Sequence, residues 1–193
     1  GDVIAALKSG RVSASTLIRA CLARIKAYDR SGPRLNSVRE VNPDALMIAR
    51  SLDGLKPSAA RPLAGVPILL KDNIATGDKQ HTTAGSLALR DARARDDATL
   101  VKQLRAAGAV ILGKANLTEF ANILTVDMPS GYSSVGGQVK NAYVPDLLDE
   151  RGIPVVLPGG SSAGSGVAVA AGFCAAAIGT ETSGSLLSPA TQS

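Results

Sequence analysis

The chain has 193 residues, 45% of them apolar but only 3% aromatic, and a net charge of +5. Its 21 Lys and Arg residues are scattered, with none beyond Arg151. That distribution reads as solvated faces and gives no ground for expecting a nucleic-acid partner. Cys21 and Cys174 lie far apart in apolar contexts and read as two buried free thiols. A single His with no Cys/His cluster argues against zinc, and no metal or cofactor is expected. The longest apolar run, Gly166–Gly179, is broken at Gly172 and falls short of the ~20 residues that a membrane span needs. No secretory signal precedes the first helix, which leans toward a cytoplasmic protein, although residue 1 need not be the native start. Nothing in the sequence sets the oligomeric state.

Asp2–Lys8 reads as a short helix stopped by Gly10. Ser13 or Ser15 can cap a second helix over Thr16–Tyr28, in which Leu17, Cys21 and Ile25 fall at i, i+4 and i+8. Leu35–Val41 has the length and composition of a short strand. Asn42-Pro43-Asp44 opens a helix running to about Leu52, with proline at N1 and an acid in the first turn. Gly65–Leu70 (GVPILL) is a buried strand that ends at Lys71-Asp72-Asn73, which puts an amine at the end of an apolar run. Loop follows to about Gly85. Asp96 or Asp97 caps a helix to Ala107. Ala109–Leu112 is a second buried strand and Asn116–Asn122 a short helix. Residues 125–152 are rich in loop signals, Ile153–Leu157 is extended, Ser162–Ala171 is a helix of small residues, and Cys174–Gly179 is a strand. Helix then strand, repeated, is an α/β pattern with no internal repeat.

The last third carries the chemistry. After Arg151 the one charged residue is Glu181, and two Gly/Ser clusters, Gly159–Gly166 and Thr182–Ser185, bracket an apolar run. As a phosphate cradle the first cluster fails. It has no G-x-x-x-x-G-K-[ST], and Val169 stands where a glycine should close G-x-G-x-x-G. Gly160-Ser161-Ser162-Ala163-Gly164 fits the G-x-S-x-G elbow between an extended run and a helix, but that arrangement needs a downstream His, and His81 lies upstream. The third reading uses both clusters and Lys71. A serine hydroxyl is a poor nucleophile until a base takes its proton. A lysine desolvated at a strand end can be that base, a second hydroxyl can bridge the two, and a turn of small residues can offer N–H groups to an oxyanion. The plain alternative is that Lys71 snorkels to solvent and the serines cap helices.

Gly159-Gly160-Ser161-Ser162-Ala163-Gly164-Ser165, followed by Ile178-Gly179-Thr180-Glu181-Thr182-Ser183-Gly184-Ser185 and Ser188-Pro189-Ala190, resembles the amidase signature family, usually worded GGSSGGS…GTDTGGS…PA. Gly65-Val66-Pro67 through Lys71-Asp72-Asn73 is similar to its GVPxxxKDN segment. Leu112-Gly113-Lys114-Ala115-Asn116 through Glu119-Phe120 is similar to its GKTNxxEF segment. The resemblance implies an α/β fold with a mixed sheet flanked by helices, incomplete here, and hydrolysis of a carboxamide through a Ser–Ser–Lys triad. By motif position Ser185 resembles the nucleophile, Ser161 the bridging serine after a cis peptide bond, and Lys71 the base. The amides of Thr182, Ser183, Gly184 and Ser185 resemble the oxyanion hole. Rough alignment sets Ala121 and Asn122 against the substrate pocket.

Gly32-Pro33-Arg34-Leu35, Val41–Leu46 and Thr83–Leu89 resemble the peptide amidase branch, which implies small-molecule or peptide amide substrates. Ala163, Ser183, Leu186-Leu187-Ser188 and Asn141-Ala142 depart from the family's wording. The family domain is more than twice this length, so residues 1–193 are expected to be the N-terminal part of a single amidase signature domain. Two other readings stand beside amide hydrolysis: the glutamine-hydrolysing component of a tRNA-dependent amidotransferase, and a non-catalytic fragment retained for binding or assembly.

Overall fold

Two apolar runs form the centre of the sheet because neither has a polar face to turn to solvent. In the computed structural model, which describes residues 1–193, Pro67–Lys71 (β2) and Val110–Ala115 (β3) are parallel neighbours and every residue of both is buried. Val38–Val41 (β1) pairs antiparallel with β3, and Ala176–Ile178 (β6) pairs parallel with β2. The order is therefore β1-β3-β2-β6. A two-residue hairpin, Tyr132–Ser133 (β4) with Gly137–Gln138 (β5), stands apart.

Alternation along the strands divides the core in two. Leu69, Val110 and Leu112 face one cluster, which Ile18 and Cys21 of α2 (Ala14–Arg24), Ala45 and Ala49 of α3 (Ala45–Ser51), and Ala163, Val167 and Ala168 of α5 (Ala163–Ala170) complete. Ile68, Leu70 and Ile111 face the other, against Leu7 of α1 (Asp2–Ser9) and Val101 of α4 (Thr99–Ala106). Helices thus cover both faces of a mixed sheet, the expected α/β architecture. Cys21 and Cys174 are both buried and unpaired. No helix is long and apolar enough to cross a membrane.

Several boundaries differ from the sequence expectations, each for a physical reason. Helix α2 is capped by Ser13, whose side chain accepts the Thr16 N–H. It passes at Ile25–Asp29 into a π-turn, and the buried Asp29 carboxylate there accepts the Ser37 N–H at 2.6 Å and the Ser37 hydroxyl at 2.7 Å. Neither Asp96 nor Asp97 caps α4. The Asp97 carboxylate instead accepts the Gly77 N–H at 2.8 Å and pairs with Arg105 at 2.9 Å. Strand β3 runs past Leu112 to Ala115, because Lys114 is fully buried rather than a strand-ending surface charge.

The helix expected over Asn116–Asn122 is a single 3-10 turn, Glu119–Asn122, in which Phe120 and Ala121 have φ of 45° and 57°. The Asn116 side chain holds that stretch open by accepting the Leu117 N–H at 2.9 Å and the Ser133 hydroxyl at 2.7 Å. A final helix, α6 (Leu187–Gln192), follows the second Gly/Ser cluster.

The small residues of α5 have a specific use. A Cβ on Gly164 would sit 2.3 Å from the Ser37 carbonyl oxygen and 2.4 Å from that of Asn116. The bare backbone instead lets the Gly164 N–H donate to Asn116 O at 3.0 Å. This close approach seats the start of α5, and so the cluster before it, against the end of β3.

Candidate active site

Lys71 is the last residue of β2. It shares a face with Leu69, so its side chain runs toward α5 and is wholly buried. Its Nζ lies 2.6 Å from Ser161 Oγ and 3.2 Å from the Thr180 carbonyl oxygen. Ser161 Oγ lies in turn 3.0 Å from Ser185 Oγ. The Gly160–Ser161 peptide bond is cis. Three segments far apart in sequence therefore converge on one line of hydrogen bonds. Burial pushes the Lys71 ammonium down from its ordinary 10.5 to about 8, because a charge loses its hydration there and no carboxylate restores it.

The two Gly/Ser turns are laced together around Thr180. Ser162 Oγ donates to Thr180 O at 3.2 Å and accepts the Thr180 N–H at 3.3 Å. The Ser162 N–H donates to Ser185 O at 3.2 Å. The second turn is further pinned by Glu181, whose carboxylate accepts the N–H groups of Gly184 at 2.9 Å, Leu186 at 2.7 Å and Leu187 at 3.2 Å. These donors, Leu186 first, hold the Glu181 carboxyl below the usual range. The Gly184 amide is thus already engaged, whereas the amides of Thr182, Ser183 and Ser185 donate to no protein acceptor.

Ser161 and Ser185 open on a cavity whose walls include Asn73, Ala84, Ala121, Thr180 and Thr182. Of the two residues aligned with the pocket, Ala121 lines it and Asn122 does not. Phe120 and Ala121, both in the left-handed region, form part of this wall. Asn73 and Thr180 received no role from the sequence. Each lies inside a matched stretch, but only the folded chain shows the Asn73 Nδ2 donating to Thr180 Oγ1 at 3.0 Å beside the two serines. No group of His, Cys, Asp and Glu is arranged to hold a metal ion.

A lysine amine lowered to about 8, two hydroxyls in series beyond it and unengaged amides in the turn that carries the outer one make an arrangement suited to acyl transfer. The amidase family matches residues 16–193. A probable amidase of Arabidopsis thaliana is 44% identical over 195 residues, covering 99% of this chain and 36% of that protein. The X-ray structure of the native peptide amidase from Stenotrophomonas maltophilia superimposes with a TM-score of 0.84 at 48% identity, over 95% of this chain and 36% of that one. A glutamyl-tRNA(Gln) amidotransferase subunit from Maridesulfovibrio salexigens is 38% identical, over 98% of this chain and 35% of that protein. The chain spans a little over one third of the length of these relatives. On sequence and fold alike, it belongs to the amidase family.

Proposed function

We propose that the polypeptide carrying this chain hydrolyses carboxamides, with Ser185 as nucleophile, Ser161 as proton bridge and Lys71 as base. The observation that carries this reading is the unbroken path from Lys71 Nζ through Ser161 Oγ to Ser185 Oγ, at 2.6 and 3.0 Å. While Lys71 is an ammonium it donates along this path and Ser185 can only accept from Ser161. Once Lys71 is neutral its lone pair faces Ser161, its own N–H still has the Thr180 carbonyl, and the path reverses so that Ser185 donates.

In the reaction Ser185 Oγ bonds to the amide carbon as its proton passes to Ser161 and that of Ser161 to Lys71. The oxyanion takes the N–H groups of Thr182, Ser183 and Ser185. The C–N bond then breaks while the proton returns from Lys71 through Ser161 to the leaving nitrogen. Water repeats the relay on the acyl-serine. We take residues 1–193 as part of a single amidase signature domain. Peptide amides are the favoured substrates, on the 48% identity to a peptide amidase.

The likeness to an amidotransferase component favours a second reading, glutamine hydrolysis, by the same three residues. Two measurements separate these readings. The intact polypeptide is treated with a fluorophosphonate and the modified residue mapped, and ammonia release is followed from an N-acetylated peptide amide and from glutamine. Label on Ser185, with release from the peptide amide and loss of both in Ser185→Ala, is expected. Release from glutamine alone would transfer the chain to the second reading. Label elsewhere, or none, would overturn Ser185 as nucleophile and favour a binding role.

A further inference from the structure

Asn73 stands out because the protein fixes it from three sides yet leaves its oxygen free. Lys71-Asp72-Asn73-Ile74 is a turn closed by the Ile74 N–H donating to Lys71 O at 2.9 Å. Before Asn73, Asp72 is fully buried. One of its carboxylate oxygens pairs with Arg39 Nε at 2.5 Å, and the other accepts the Thr83 hydroxyl and the N–H groups of Thr83 and Gly85, both at 3.1 Å. After Asn73, the Ile74 carbonyl accepts the buried Lys114 ammonium at 2.6 Å. The side chain itself is exposed on the cavity wall, its nitrogen committed to Thr180 Oγ1 at 3.0 Å. Its Oδ1 accepts nothing from the protein, so a turn held on both flanks presents one free hydrogen-bond acceptor on the wall of the cavity that Ser161 and Ser185 also line.

We infer that Asn73 Oδ1 accepts an N–H of the scissile carboxamide and so sets the preference for amides over esters; this rests on the triad reading above. The leaving nitrogen must face Ser161 to receive its proton, and the oxygen must face the amides of Thr182, Ser183 and Ser185. Asn73 is tied to Thr180, whose carbonyl accepts Lys71 Nζ at 3.2 Å, so it stands beside the proposed base and hence on the nitrogen's side. A primary carboxamide brings two N–H donors that need acceptors once water is excluded. An ester oxygen brings none and gains nothing from Asn73.

The test compares the intact polypeptide with its Asn73→Ala variant on N-acetyl-phenylalaninamide and on the methyl ester of the same acid. We expect kcat/KM for the amide to fall about tenfold or more, the scale of one desolvated hydrogen bond, while the ester changes less than threefold. An equal fall on both substrates, or no fall on either, overturns the role of Asn73 and leaves the triad standing. A parent protein inert toward amide, ester and fluorophosphonate overturns the triad reading and the role of Asn73 with it.

Discussion

Lys71 and the serines around it make predictions that need no knowledge of the natural substrate. In the proposed mechanism Lys71 acts as the free amine, and its pKa is pushed down to about 8. Below that pH the ammonium has no lone pair to take the proton that Ser161 must give up. We therefore expect kcat/KM to rise about tenfold per pH unit up to about 8 and to flatten above it; a profile flat from pH 6 to 9 would rule out Lys71 as base. Lys71→Ala should lose at least about a thousandfold in kcat, since the nucleophile is left without a proton acceptor. Ser162→Ala should keep part of the turnover. Its hydroxyl ties the two turns together at Thr180 but makes no hydrogen bond to Ser185 Oγ. Steady-state kinetics on these variants and Ser185→Ala check this order.

At the scale of elements, the most sensitive joint is where α5 meets the end of β3. Gly164→Ala would drive a methyl group into two carbonyl oxygens, at 2.3 and 2.4 Å. Backbone cannot give way as a side chain can, so we expect a loss of about 3 kcal/mol or more, read as a lower midpoint in thermal or urea unfolding. A wild-type midpoint would mean that α5 can shift without cost. The same joint shows what could be read from sequence.

Strand β2, helices α1 to α5 and the two Gly/Ser turns were legible because apolar period, caps and turn residues are local signals. Motif wording brought Lys71, Ser161 and Ser185 together before any distance was known. What escaped depends on distant partners. Lys114 ends an apolar run in sequence but is buried because Ile74 and Thr82 reach it. Asp97 has the look of a cap but is taken by Gly77 and Arg105. Asn116 breaks a helix because Ser133, 17 positions on, claims its oxygen. The roles suggested for Asn73 and Thr180 likewise arise only where β2 and the second turn meet.

Across the whole molecule, four buried groups share one consequence. Lys71 and Lys114, on opposite faces of one sheet, are both lowered by burial from 10.5 to about 8. Cys21 and Cys174 are raised by burial from 9.0 to about 11 and about 12. Between pH 8 and 9 the unfolded chain holds protons that the folded amines have released, so unfolding takes up protons and stability rises with pH. From about pH 8 the unfolded thiols also begin to let protons go while the folded ones keep them, and the two exchanges oppose each other more strongly as pH rises. Calorimetry at pH 8.5 in two buffers of different ionisation enthalpy should give unfolding enthalpies that differ by the heat of about one proton, the two amines taking up about 1.5 and the two thiols giving up about 0.5. The difference should shrink toward zero by about pH 10, and should fall to about a quarter at pH 8.5 in Lys71→Met. A difference of the opposite sign at pH 8.5, the thiols' release alone, would mean that neither amine is free in the folded state. The mildly alkaline range in which the proposed base is ready is thus also the range in which the fold gains stability, because both follow from the same exclusion of water.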